Sequence, residues 1–268
     1  MVVTNEQILI VDTVTKLGFE AAGNVVIAGS HGGVYAGFEA ARAGVRGVIL
    51  HDAGVGLDDA GIGSLSYLED LGIAAAAIDS STAIIGNGDS LANDGITSFI
   101  NETAAKLGCV PGQPAMDCAL AMRAAPGSSG DVPLYKEARF LIRDGADGAI
   151  VRGCDSVSLV RDEDEGAVVV TASHGEVLAS APTWGNRPKV LAAVFNDAGS
   201  TLVTRLPDLD SRAIPAATVA TASARIGDAR SSYDDGVLSH VNETASALGA
   251  TPGMTTFAFV DLVIDNAR

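Results

Sequence analysis

The residues best suited to chemistry stand in two short runs, Ser30-His31-Gly32-Gly33 and Ser173-His174-Gly175. A hydroxyl, an imidazole and flexible glycines side by side suit a nucleophile or substrate anchor, a general base, and backbone N–H groups that hold an oxyanion. Gly32 and Gly33 would let the chain turn sharply into a helix and present amides at its positive end. Ser30 stands where the nucleophile elbow of an α/β hydrolase puts its serine, although Ala28 occupies the place of that motif's first glycine. The bland alternative is a tight turn whose serine caps a helix and whose histidine bonds backbone. Adjacent Ser30 and His31 do not suit each other as a pair. The base for Ser30 is therefore expected from His51 or from His174 in the other run.

A second pair of motifs places Asp52 in H-D-A-G and Asp197 in N-D-A-G. An aspartate there can orient a histidine, ligate a metal or cap a helix. His51 is replaced by Asn196 in the second motif, so the fold does not require it, and the difference suggests divided labour. Asp12 and Asp155 recur in D-T-V and D-S-V and read as N-caps. Asp58 and Asp59 read as solvated loop carboxylates. Arg225, near a helix start, suits a substrate carboxylate or phosphate, and could equally pair with Asp228. Asn101-Glu102-Thr103 and Asn242-Glu243-Thr244 match the N-glycosylation pattern, but their recurrence points to a shared structural role such as contact between the halves.

These pairs belong to a longer self-similarity. Residues 73–113 align with 214–254 without a gap, with roughly 18 identities. Val25 to Gly33 answers Val168 to Glu176, and Val11 to Thr15 answers Cys154 to Ser158, in the same order along the chain. The sequence therefore reads as an internal duplication: a first α/β repeat at 1–114, a connector at 115–153 and a second repeat at 154–268.

Each repeat reads as short apolar strands alternating with helices. Strands are expected at Val25–Ile27, Val45–Leu50 and Ile73–Ile78, and at Ala167–Val170, Lys189–Phe195 and Ala216–Val219. Helices are expected at Val34–Ala43, Ser64–Leu71 and, longer, Asp94–Leu107 and Asp235–Leu248. In the connector, Ala125 to Gly130 reads as a loop, while the apolar runs Met116–Met122 and Phe257–Val263 match in position without revealing their type. The expected fold is α/β, two Rossmann-like half-domains of mostly parallel sheet covered by helices and related by a pseudo-twofold. In such sheets ligands bind at the carboxyl ends of the strands, where both the S-H-G and D-A-G loops fall.

Composition excludes several classes. A net charge of −16 with no basic tract argues against nucleic acid and anionic membranes as partners. No apolar run is long enough to span a bilayer, and the N-terminal residues lack a secretion signal, so the expected compartment is cytoplasmic. Cys109, Cys118 and Cys154 show no C-x-x-C spacing and read as reduced core thiols. There is no G-x-G-x-x-G after the first strand and no phosphate-loop motif, so no cofactor is expected. A divalent metal held by His31, His174, Asp52 and Asp197 is the alternative, if the halves face each other. The leading expectation is a small-molecule hydrolase acting on an amide, lactone or ester. Ser30, His31, His51, Asp52 and His174 would be catalytic, and Gly32, Gly33, Ser173, Asp197 and Arg225 would bind substrate. A lyase or isomerase using His and Asp, and a binding protein for a small anionic metabolite, are the alternatives. Ala-rich helix faces suit a homo-oligomer.

Overall fold

In the first third of the chain a helix follows each of two parallel strands, and the all-alanine run Ala74–Ala77 is buried on both sides as the next strand. The computed structural model describes residues 2–3, 7–127, 131–146, 149–182 and 187–268. Of the loop expected at Ala125–Gly130, Ser128 to Gly130 lie outside the described residues.

The chain divides into two compact units. The first comprises Met1–Val55, Asp59–Lys136 and Leu178–Ser180; the second comprises Gly56–Asp58, Glu137–Val177 and Ala181–Arg268. In the first unit β2 (Ile8–Val11), β3 (Val25–His31), β4 (Gly47–His51) and β5 (Ala74–Ile78) run parallel in that order. The two-residue β1 (Val2–Val3) and β6 (Thr97–Ile100) are antiparallel edges. One face of this sheet is covered by α1 (Val34–Arg42) and α2 (Ser64–Asp70). The other carries α3 (Gly88–Asp94), α4 (Glu102–Ala105) and α5 (Ala115–Met122).

The second unit repeats the strand order. β7 (Arg139–Asp144) pairs antiparallel with β8 (Ile150–Cys154). Parallel β9 (Val168–His174), β10 (Ala192–Asn196) and β11 (Ala216–Val219) follow, and β12 (Leu238–Val241) is antiparallel at the far edge. Its helices are α6 (Arg205–Asp210), α7 (Ala229–Asp234), α8 (Glu243–Ala247) and α9 (Thr256–Asn266). Among the described residues no helix stands between β9 and β10, where the first unit has α1. Both units are α/β with mostly parallel sheets, and no described helix is long and apolar enough to cross a membrane.

The helices expected at Asp94–Leu107 and Asp235–Leu248 are each a helix end, a strand and a second short helix. Gly95 closes α3 with its N–H on Leu91 O. The β-branched and aromatic residues after it then form β6 against β5, which completes the sheet edge at the expense of helical spacing. Asn101 starts α4 by accepting Ala104 N–H, as Asn242 does for α8 with Ala245 N–H. Each asparagine also accepts an N–H from the neighbouring central strand, Ala75 or Ala216, and donates to Ile73 O or Ile214 O. The recurrence of N-E-T is therefore explained inside each unit, as a clamp between a helix start and β5 or β11. Residues 115–153 do not stand apart either. α5 buries Cys118, Ala119 and Met122 in the first core, and β7 and β8 extend the second sheet. α5 and α9, the helices at matching positions, are the two apolar runs the sequence left untyped.

Candidate functional site

The carboxyl ends of β3 and β4 bring His31 opposite His51. After His31 the chain turns at once, because Gly32 N–H donates to His51 O at 2.7 Å and Ser64 N–H to Gly32 O at 2.8 Å. Only glycine fits there: a Cβ on Gly32 would stand 2.6 Å from Gly61 O, and one on Gly33 2.8 Å from His31 Nδ1. The closest consequence for chemistry is that Gly33 N–H donates to His31 Nδ1 at 3.1 Å. That bond puts the proton of a neutral His31 on Nε2. The ring is half-buried, and burial, reinforced by His51, lowers its pKa to about 4. It is uncharged at neutral pH.

The same two amides were expected to hold an oxyanion. Both already have partners, Gly32 on His51 O and Gly33 on the His31 ring, so an oxyanion would have to displace them.

Ser30 Oγ accepts Val14 N–H at 3.0 Å and donates toward Thr13 Oγ1 at 3.4 Å. Ser173 Oγ accepts Val157 N–H at 2.8 Å in the second unit. Both serines thus tie the one-turn helix after the neighbouring strand, Val14–Lys16 or Val157–Leu159, to the sheet. Asp12 and Asp155 brace the same end. They accept Gly88 N–H and Ala229 N–H, at the first residues of α3 and α7, whose own N-caps are Asn87 and Asp228. Neither aspartate is the N-cap expected of it; each adds a second acceptor at the start of a helix far along the chain.

His51 is fully buried with both ring nitrogens engaged. Its Nδ1 accepts Ala53 N–H at 3.0 Å and its Nε2 donates to Ala83 O at 3.1 Å. Asn196 makes the same two bonds with its amide, accepting Ala198 N–H and donating to Ala224 O. Burial pushes the His51 pKa down, in keeping with a ring that serves the backbone as a neutral amide would. Asp52 Oδ1 accepts from Gly54 N and Ser80 N, and its Oδ2 from the Ser98 hydroxyl. Asp197 accepts from Gly199 N and Thr221 N. Each aspartate closes a turn that runs through a left-handed alanine, Ala53 or Ala198, and ties it to the loop after the next strand. The hydrogen bonds of Asp52 and Asp197 go to backbone amides and a serine hydroxyl, and none of them reaches a histidine.

His174 lies buried at the end of β9, its carbonyl accepting Arg205 Nε at 3.2 Å. Arg225 is paired, with Asp228 at 3.1 Å and Asp58 at 2.7 Å, and both hydrogen bonds hold its pKa up. The sequence reading overlooked Glu176 and Arg205, two buried ionisable groups beside His174. Burial raises the Glu176 pKa, against a hydrogen bond from the Ser200 hydroxyl at 2.5 Å. Burial, then the nearby Arg187 cation, lowers Arg205 to about 10. The halves themselves carried the signal, since Glu176 stands where the first run has Gly33. Among the described residues no three His, Cys, Asp or Glu side chains gather as metal ligands would.

No family model, curated protein or solved structure matches this chain. Of the residues assembled at the strand ends, His31 combines partial exposure, a fixed tautomer and neutrality, and so is equipped to donate a hydrogen bond to a substrate oxygen.

Proposed function

We propose that the chain is an enzyme acting on the carbonyl group of a small molecule at the strand ends of its first unit, with hydrolysis of an amide, lactone or ester as its reaction. One observation carries this reading, the Gly33 N–H bond to His31 Nδ1, which leaves Nε2–H as a fixed donor on a neutral ring. Such a donor stabilises negative charge as it develops on a carbonyl oxygen, without giving up its proton. Ser30 serves as a substrate anchor and water is the attacking group, losing its proton to solvent while the leaving group takes one from solvent, because the Ser30 hydroxyl bonds Val14 and Thr13. That same fact favours a second reading, an isomerase or lyase in which the His31 donor stabilises an enolate. Three buried free cysteines fit a reducing, cytoplasmic compartment.

The test is a turnover screen of small amides, lactones and esters, read by mass spectrometry. On any compound that the wild type converts, His31→Ala is expected to lower kcat/KM by about 10²–10³-fold. Ser30→Ala should act mainly on KM. Equal conversion by wild type and His31→Ala would end the proposal. Loss of kcat in Ser30→Ala as deep as in His31→Ala would instead restore serine as a nucleophile. A product of unchanged mass would identify the isomerase.

A further inference from the structure

The sheet face that α1 covers in the first unit has a different cover in the second. In the first unit Ala36, Ala40 and Ala41 of α1 pack on Val26, Val48 and Leu50. The positions matching Val48 and Leu50 are Ala193 and Phe195, whose cluster holds Val160, Val190, Leu206 and Leu209 and, among the described residues, none of such a helix. Arginines occupy this side. The Arg205 guanidinium lies over the Phe195 ring at 5.5 Å. The Arg205 backbone N–H donates to Gly175 O, the bond that the Ser64 backbone N–H makes to Gly32 O in the first unit. An uncharged position has thus become a buried cation.

Arg187 reaches the same place, its Nη1 donating to Val160 O at 3.2 Å, and Arg212 Nη2 donates to Arg187 O at 3.2 Å. Arg212 Nη1 is buried with no hydrogen-bond partner. Among the described residues no carboxylate stands within ion-pair distance of Arg187 or Arg212. Asp208 is the acidic group nearest in effect to Arg205.

This is costly in a chain with 33 acidic and 17 basic residues, where carboxylates are the commoner charge. A guanidinium does not shed its proton, so burying it beside a like charge demands compensation. Burial lowers the Arg187 pKa as well. We propose that Arg187, Arg205 and Arg212 form a binding site in the second unit for a small anion that offers paired oxygens, a carboxylate or a phosphate. A guanidinium fork matches such oxygens with two parallel hydrogen bonds, and a half-buried setting strengthens them. The site is independent of the reaction proposed at His31.

Thermal unfolding of the full chain tests it, with inorganic phosphate in one arm and succinate in the other, at constant ionic strength made up with chloride. A saturable rise in Tm is expected in at least one arm, and the responding arm names the ligand's chemistry. Arg212→Gln should weaken the apparent affinity by about tenfold or more, as loss of a charged hydrogen bond does. Arg187→Lys keeps the charge and loses the fork, and should weaken it too. Arg268→Gln, a change at the exposed terminus, should leave it intact, and so should His31→Ala. No rise beyond chloride in either arm, or an undiminished rise in Arg212→Gln, would overturn the proposal.

Discussion

The strand ends of the two units share a skeleton and differ in what hangs from it. In both, a serine ties the preceding turn, an aspartate closes the D-A-G loop, and a buried side chain bridges one N–H and one C=O. That bridge is His51 in one unit and Asn196 in the other, which shows that the backbone asks for a donor and an acceptor in place, and not for a titratable ring. The positions that diverge are those next to the turn: Gly33 against Glu176, Ser64 against Arg205, and helix α1 against no helix among the described residues. Residues kept twice hold the loops, so the search for chemistry shifts to residues that differ, and to His31, where a retained histidine is half-buried in one unit and buried in the other.

The largest effect is expected at the asparagine clamps. Asn101→Ala removes three buried hydrogen bonds and Asn242→Ala four, and each should cost about 3 kcal/mol or more in urea unfolding. A loss at one position only would show that the two units do not share this device. Next comes the bridge. His51→Ala strands Ala53 N–H and Ala83 O without partners and should cost about 2 kcal/mol, while His51→Asn, which copies Asn196, should cost less than about 1 kcal/mol. His51→Asn should also leave any turnover intact. Comparable destabilisation by both variants would mean that the equivalence of His51 and Asn196 is only apparent.

The smallest effects concern pH. The folded-state pKa of Glu176 is raised, so over a window above its ordinary value the native state holds a proton that the unfolded chain has lost. Stability therefore falls as pH rises through that window. Glu176→Gln keeps an acceptor for Ser200 and should be about 1 kcal/mol more stable than wild type at pH 8, with the difference gone near pH 4. His31 works in the opposite sense. Its folded pKa of about 4 lies below the ordinary 6.5, so the unfolded chain takes the proton first. Its contribution is complete above pH 6.5 and is lost as pH falls toward 4. Melting curves of His31→Gln, expected to be flatter than wild type across that interval, measure it. A slope equal to that of wild type would show that the ring is not shielded from water.

Much of the fold was legible, because strands and helices announce themselves through windows of a few residues. Val25–Ile27, Val34–Ala43 and Ser64–Leu71 were read from apolar spacing and glycine stops, and these segments form β3, α1 and α2. The failure at Asp94–Leu107 is instructive. Ile96, Phe99 and Ile100 satisfy helical spacing, and only pairing with β5, about 20 residues earlier in the chain, makes Thr97–Ile100 a strand. The candidate residues were legible as positions at the strand ends, but their roles were not. Whether Ser30 is a nucleophile or a strut depends on Val14 N–H, and whether His51 is a base or a bridge depends on Ala83 O, 32 residues away.

The order of residues was enough to show one pattern twice, each copy alternating strands with helices, and to put S-H-G and D-A-G at strand ends. Periodicity and recurrence suffice for that, since both are properties of the order of residues. Tertiary structure alone decided which polar atoms are spent on the backbone and which remain for a ligand. Hydrogen-bond partners and burial come from segments far apart in sequence, and burial is what sets the His31 ring neutral and leaves Arg212 Nη1 without a hydrogen bond.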